Sequence, residues 1–150
     1  MSVLYPRQKP GSYGVQRVYI STEKIGTITS ASTDTFRFPT PYRKCYIQRI
    51  SAQAQTPPAV TTGTSTATVK IFRANGGSSV TVSSGLDLET LTANKAKAFT
   101  IPTTTTDAQR ILVNDSTNGG DTLYVELVNG TTIATQPVAL YIVVELLVLE

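Results

Sequence analysis

The segment Pro137-Val-Ala-Leu-Tyr-Ile-Val-Val-Glu-Leu-Leu-Val-Leu-Glu150 constrains the fold more than any other, because it is almost wholly apolar. Read as a strand, it sends Leu140, Ile142, Val144, Leu146 and Val148 to one face. Tyr141, Val143, Glu145, Leu147 and Leu149 go to the other. The first face fills a core. The second is also apolar apart from Glu145, so it calls for a cover, supplied by a second copy of the chain or by a partner. The uninterrupted run from Val138 to Leu149, 12 residues including Glu145, falls short of the roughly 20 that a membrane-spanning helix requires. A soluble chain is expected.

The remaining sequence predicts strands joined by turns. Serine and threonine make up 37 of 150 residues, with 10 glycines and 8 prolines spread throughout, a composition that disfavours helix. Residues 1–14, with Pro6, Pro10, Gly11 and Gly14, show no period and are expected to form an extended arm. From Val15 to Ile28, short alternating runs suit two strands or one bent one. Thr35-Phe-Arg-Phe38 is a further strand. Tyr42 to Gln55 reads as a long strand with Tyr46, Gln48, Ile50, Ala52 and Ala54 on one face and Cys45, Ile47, Arg49, Ser51 and Gln53 on the other.

Ser65 to Ala74 alternates Ala67, Val69 and Ile71 with polar neighbours, and Asn75-Gly76-Gly77 turns it into Ser79-Val-Thr-Val82, a hairpin. Gly85 to Leu91 fits either a strand or a helical turn. Strands are expected over 96–101 and 109–113, and over 122–128 with Leu123, Val125 and Leu127 inward. Eight to ten strands at short intervals, with no amphipathic helix and no internal repeat, predict one all-β domain over residues 15–150. Its expected form is a β-sandwich of jelly-roll or similar Greek-key topology.

The residue inventory excludes several chemistries. Histidine is absent and Cys45 is the single cysteine, so there is no Ser-His-Asp or Cys-His set, no zinc ligand cluster and no internal disulfide. Cys45 is expected to be a small core residue. Asp87 and Glu89 would share a strand face about 7 Å apart rather than stand across a sugar cleft, and the chain has no tryptophan to serve as a sugar platform. Asn75-Gly-Gly77 and Asn118-Gly-Gly120 lack the lysine of a phosphate loop. Asp115, Asn118 and Asp121 are oxygen donors but more simply build a turn. No catalytic, cofactor or metal site is predicted, and the chain is not expected to be an enzyme.

Charge is unevenly placed. Residues 1–50 hold eight basic residues, Arg7, Lys9, Arg17, Lys24, Arg37, Arg43, Lys44 and Arg49, against Glu23 and Asp34, while the rest is net acidic. Such a basic third can dock on an acidic surface. Tyr13, Arg17, Tyr19, Arg43, Tyr46 and Arg49 form a patch if their strands pair suitably. Arg7 and Lys9 are too few for an arm that neutralises nucleic acid, so no nucleic-acid partner is expected.

Together, the Pro/Tyr/basic arm, the Ser/Thr-rich strands, the missing catalytic residue types and the apolar strand 137–150 resemble the small jelly-roll decoration, or cement, proteins on the capsids of tailed bacteriophages. The resemblance implies a homotrimer on the virion surface, made in the host cytoplasm, that bridges copies of the major capsid protein. Tyr141, Val143, Leu147 and Leu149 are then expected at the subunit interface, and Tyr5, Arg7, Lys9 and Tyr13 at the capsid. The alternative is a carbohydrate- or receptor-binding sandwich of a head fibre or tail, with Tyr124 and Tyr141 as candidate platforms and Asp115 and Asp121 as candidate calcium ligands.

Overall fold

The computed structural model describes residues 16–41, 43–74, 77–115 and 119–149. The predicted arm lies outside them. In chain order the strands are β1 (Gln16–Ser21), β2 (Thr33–Arg37), β3 (Cys45–Gln53), β4 (Ala59–Val60), β5 (Thr66–Phe72), β6 (Ser79–Thr81) and β7 (Leu86–Asp87). There follow β8 (Lys97–Ala98), β9 (Ile111–Leu112), β10 (Asn114–Asp115), β11 (Gly119–Gly120), β12 (Thr122–Val128), β13 (Ile133–Thr135) and β14 (Tyr141–Val148). Among the described residues, two short 3-10 turns, Leu88–Thr90 and Asp107–Arg110, are the helical elements.

Two antiparallel sheets carry the fold. Sheet I has the order β1-β14-β3-β8 with β9 also on β3, and sheet II has β2-β12-β5-β6 with β7 also on β5. The pairs β1/β14, β2/β12, β3/β8 and β5/β6 are nested from the outside inward. The chain is therefore one long antiparallel hairpin, bent at the β5–β6 turn, whose successive pairs fall alternately on the two sheets. That winding is a jelly roll. The β5–β6 hairpin forms as the sequence predicts, with Arg73 N donating to the Ser78 carbonyl, although Asn75 and Gly76 lie outside the described residues.

Alternation puts one core between the sheets. Ile142, Val144, Leu146 and Val148 of β14 face Ala67, Val69 and Ile71 of β5 and Leu123, Val125 and Leu127 of β12, all buried. At roughly 1.5–3 kcal/mol per fully buried Val, Leu or Ile side chain, this layer is the main source of stability.

Strand β3 departs from the expected alternation. Its register against β14 shifts between Glu145 and Leu146, because an extra residue, Gln48, sits opposite that step. Cys45 and Ile47 point inward before the bulge, and Ile50 and Ala52 after it. The faces predicted for residues 46–54 are thus wrong for one half of the strand. A bulge inserts one residue and inverts the side-chain phase beyond it.

The outer edge of each sheet is interrupted and then sealed by a side chain. β8 covers Ser51 and Ala52, and β9 covers Cys45 and Tyr46, leaving the bulge between them. Arg110 fills that gap: its guanidinium donates to the Ile47 carbonyl at 2.8 and 3.0 Å and to the Gln48 carbonyl at 3.1 Å. On sheet II, the gap between β6 and β7 falls at the buried Val69, whose N–H donates to Ser83 Oγ at 3.0 Å and whose carbonyl accepts from the Val82 N–H at 2.9 Å. In each sheet a side chain thereby takes the ladder position that the split edge leaves open. Two expected strands are shorter than predicted for the same reason. Residues 109–113 begin as a 3-10 turn that aims Arg110, and only Lys97–Ala98 pairs within 96–101.

The two ends are locked differently. At one, Arg73 Nη1 meets Asp121 Oδ2 at 2.7 Å, and Arg73 also donates to the Ile111 and Ala108 carbonyls. Asp121 accepts from the N–H groups of Ala74 and Val113. This clasp joins β5 and β12 of sheet II to β9 of sheet I. At the other end, Gln136 makes paired hydrogen bonds with the Ile28 backbone, and Asn129 Nδ2 donates to Asp34 and to the Thr29 carbonyl. Gly130 is required there, because a Cβ would run into the Thr62 carbonyl and come within 2.6 Å of Val60 Cγ1.

Asp121→Ala leaves a nearly buried guanidinium and two N–H groups without their carboxylate. The expected cost is about 3 kcal/mol, or a fall of about 10 °C in Tm for a domain of this size. Calorimetry that found a fall of under about 2 °C would show that the clasp does not hold the sheets together.

Candidate functional site

The outer faces of the two sheets differ in kind. Sheet II presents Thr66, Thr68 and Lys70 from β5 beside Thr122, Tyr124 and Glu126 from β12. Lys70 Nζ pairs with Glu126 Oε1 at 2.9 Å, and the Tyr124 hydroxyl lies 2.9 Å from Ser79 Oγ. Its exposed apolar residues, Phe72 and Val128, pair with Thr122 and Thr66 at opposite ends of the β5–β12 ladder. They form no patch. This face is built for water.

Sheet I presents the other side of β14. Tyr141, Val143, Glu145 and Leu147 run down its centre, all half-buried. The ladder sets Arg17 beside Leu147, Tyr19 beside Glu145 and Ser21 beside Val143 on one flank. On the other it sets Tyr46 beside Leu147, Arg49 beside Glu145, Ser51 beside Val143 and Gln53 beside Tyr141. The β3 bulge is what aligns Arg49 with Glu145, since it brings Tyr46 and Arg49 to the same face across an odd spacing. Arg110 stacks on the Tyr46 ring, 4.5 Å from its centroid, while the Tyr46 hydroxyl donates to Asp107 at 3.0 Å. Burial, then the bond to Asp107, holds the Tyr46 hydroxyl above the ordinary tyrosine pKa.

Glu145 is the polar centre of an otherwise apolar line. Its carboxylate accepts from the Tyr19 hydroxyl at 2.7 Å, with Arg17 Nε at 4.0 Å and Arg49 Nε at 3.9 Å. That hydrogen bond is the main reason the Tyr19 pKa is raised. The Glu145 side chain is 12% exposed, whereas Arg17 and Arg49 are 67% and 80% exposed. The carboxylate is sunk into the sheet, and the two guanidinium side chains beside it are mostly in solvent.

Tyr141, Val143 and Leu147, the predicted interface residues, therefore share one face. Leu149 lies one residue beyond β14; its N–H donates to the Lys44 carbonyl and its side chain is 40% exposed. Tyr5, Arg7, Lys9 and Tyr13 lie outside the described residues. Of the anticipated Tyr/Arg patch, Arg17, Tyr19, Tyr46 and Arg49 do meet, around β14 rather than by themselves. The sequence carried the members but not the pairing of β1 and β3 on either side of β14.

Of the other candidates, Asn118 and the Asp115 side chain lie outside what the structure describes, and the rest are absorbed by the fold. Cys45 is fully buried, and burial raises its thiol pKa, the opposite of an activated nucleophile. Asp87 caps the 3-10 turn through the Glu89 N–H, and Glu89 accepts from Val60 N. Asp121 is committed to Arg73. Among the described residues no three acidic or cysteine side chains cluster as metal ligands, and no helix is long and apolar enough to cross a membrane. Comparison with protein-family models, with curated proteins and with solved structures returned no match.

Replacing Glu145 by leucine removes a sunken carboxylate whose cationic partners are mostly in water. Such exchanges are neutral or stabilising, so Glu145→Leu is expected to unfold within about 1 kcal/mol of the parent, or later, in urea. A loss above about 2 kcal/mol would mean that this network supports the domain itself.

Proposed function

We propose that this chain is a structural virion protein: a decoration, or cement, protein that assembles as a trimer through the outer face of sheet I and bridges coat subunits of a tailed-phage head. The observation that carries the reading is the contrast between the two outer faces. One is threonine-rich and solvated, whereas the other is an apolar line ringed by aromatic and arginine side chains. Tyrosine and arginine around an apolar line, with Glu145 its one charged member, match the enrichment of aromatic residues and arginine at protein interfaces.

The occupant of that face is a second copy of the chain. Even four full strands about 4.8 Å apart and roughly 27 Å long would present a planar area of only about 500 Å², below the ~800 Å² per partner of a standard interface. A ring of three gives each subunit a second contact through a surface next to this face, which adds to the small area. The register is set by Glu145, which needs cationic partners once covered, and Arg17 and Arg49 stand ready on either side. Residues 1–15 leave from Gln16, opposite Val148 at the rim of the face. With Tyr5, Arg7, Lys9 and Tyr13 they are proposed to grip the neighbouring coat surface. Several modest contacts per trimer then act together, and the shell gains resistance to pressure through avidity.

The parent protein is expected to sediment as a trimer, and Leu147→Asp as a folded monomer with unchanged β-sheet circular dichroism. A folded Leu147→Asp variant that keeps the parent sedimentation coefficient would remove the interface, and with it the proposal.

A further inference from the structure

At the Tyr141 end of sheet I lies a cleft of about 250 Å³ lined by Gln53, Ala54, Gln55, Asn94, Ala139 and Tyr141. The geometry points to a binding site for a neutral saccharide ring, at the rim of the proposed assembly face, with Tyr141 belonging to both.

Three features of the cleft converge. First, its polar lining is carboxamide, not charge. Gln53, Gln55 and Asn94 make no side-chain hydrogen bond among the described residues, and no charged side chain lines the cleft. An amide offers one acceptor and two donors, which match hydroxyl groups that both donate and accept. A phosphate or carboxylate ligand would find no countercharge here.

Second, Tyr141 differs from the other tyrosines in the described residues. The hydroxyls of Tyr19, Tyr46 and Tyr124 are engaged by Glu145, Asp107 and Ser79. That of Tyr141 has no partner among the described residues, and its half-buried ring stands beside Gln53 in the ladder. An apolar ring with a free polar tip suits the C–H face of a sugar and one of its hydroxyls.

Third, two walls of the cleft are held in left-handed backbone, Asn94 at φ 61° and Ala139 at φ 51°. Asparagine tolerates this conformation, but for alanine it costs roughly 1–2 kcal/mol. Ala139 is forced into it because Val138 is bonded to the Thr56 backbone in both directions and Leu140 likewise to Ile25. Asn94 is fixed by its N–H to the Ala54 carbonyl at 2.8 Å. Strained backbone held by its surroundings clusters at ligand sites, and here it leaves the walls set before any ligand arrives.

Tyr141 and Leu147 are six residues apart on β14, about 20 Å, so the cleft is at the margin of the assembly face. Saturation-transfer NMR with the methyl glycosides of glucose, galactose, mannose and N-acetylglucosamine tests the site. At least one sugar is expected to bind with a Kd in the millimolar range. Asn94→Gly, which keeps the left-handed backbone, and Tyr141→Ala are each expected to weaken it about tenfold or more, Asn94→Gly while leaving the melting transition in place. Leu147→Asp should bind as the parent does, so the site and the trimer can fail separately. Absence of transfer from all four glycosides, or equal binding by the parent and both cleft variants, would overturn the inference.

Discussion

Everything in this molecule is arranged about β14 because it is central in sheet I and apolar on both faces. A strand in that position has its backbone groups satisfied on both sides, by β1 and β3, so its side chains alone decide what happens next. The inner row is fully buried against sheet II. The outer row is only half-covered, by the side chains of two neighbours, and those neighbours place arginine and tyrosine along it. Apolar surface on one outer face of a small sandwich is therefore a consequence of how the central strand is written, and the polar threonines of sheet II show that the chain could make a solvated face where one was needed.

Much of the fold was legible in the sequence. Period-two alternation located β5, β12 and β14 and gave the correct inward residues for each, because these strands are regular and flanked on both sides. β3 misled in its second half, since one inserted residue inverts the phase and nothing local in Tyr-Ile-Gln-Arg-Ile marks the insertion. The split edge strands were illegible for a related reason. Their ladder positions are taken over by side chains of Arg110 and Ser83, which read as ordinary polar residues until their carbonyl and amide partners, some 14 to 63 positions away, are known.

The candidate site was legible to the same degree. Tyr141, Val143 and Leu147 follow from alternation on one strand. The Tyr19–Glu145–Arg49 row joins three strands, and Gln53, Asn94 and Ala139 come together through a loop backbone that no sequence pattern announces. Residues that meet along one element can be read from spacing, whereas residues that meet across elements depend on register, and here register includes a bulge.

The nesting of the hairpin has a temporal consequence. Tyr19 and Glu145 are 126 positions apart, yet they lie side by side in the middle of sheet I. Contacts of such long range form slowly, because the entropy of closing the loop must be lost before the contact repays it. The same arrangement works in reverse once the sheet has closed. β14 cannot leave without breaking two ladders and opening the core together, so a barrier of this kind guards the folded chain longer than its equilibrium stability alone would suggest. Slow closing and slow opening would suit the cement role proposed for this chain, a part installed once and never exchanged.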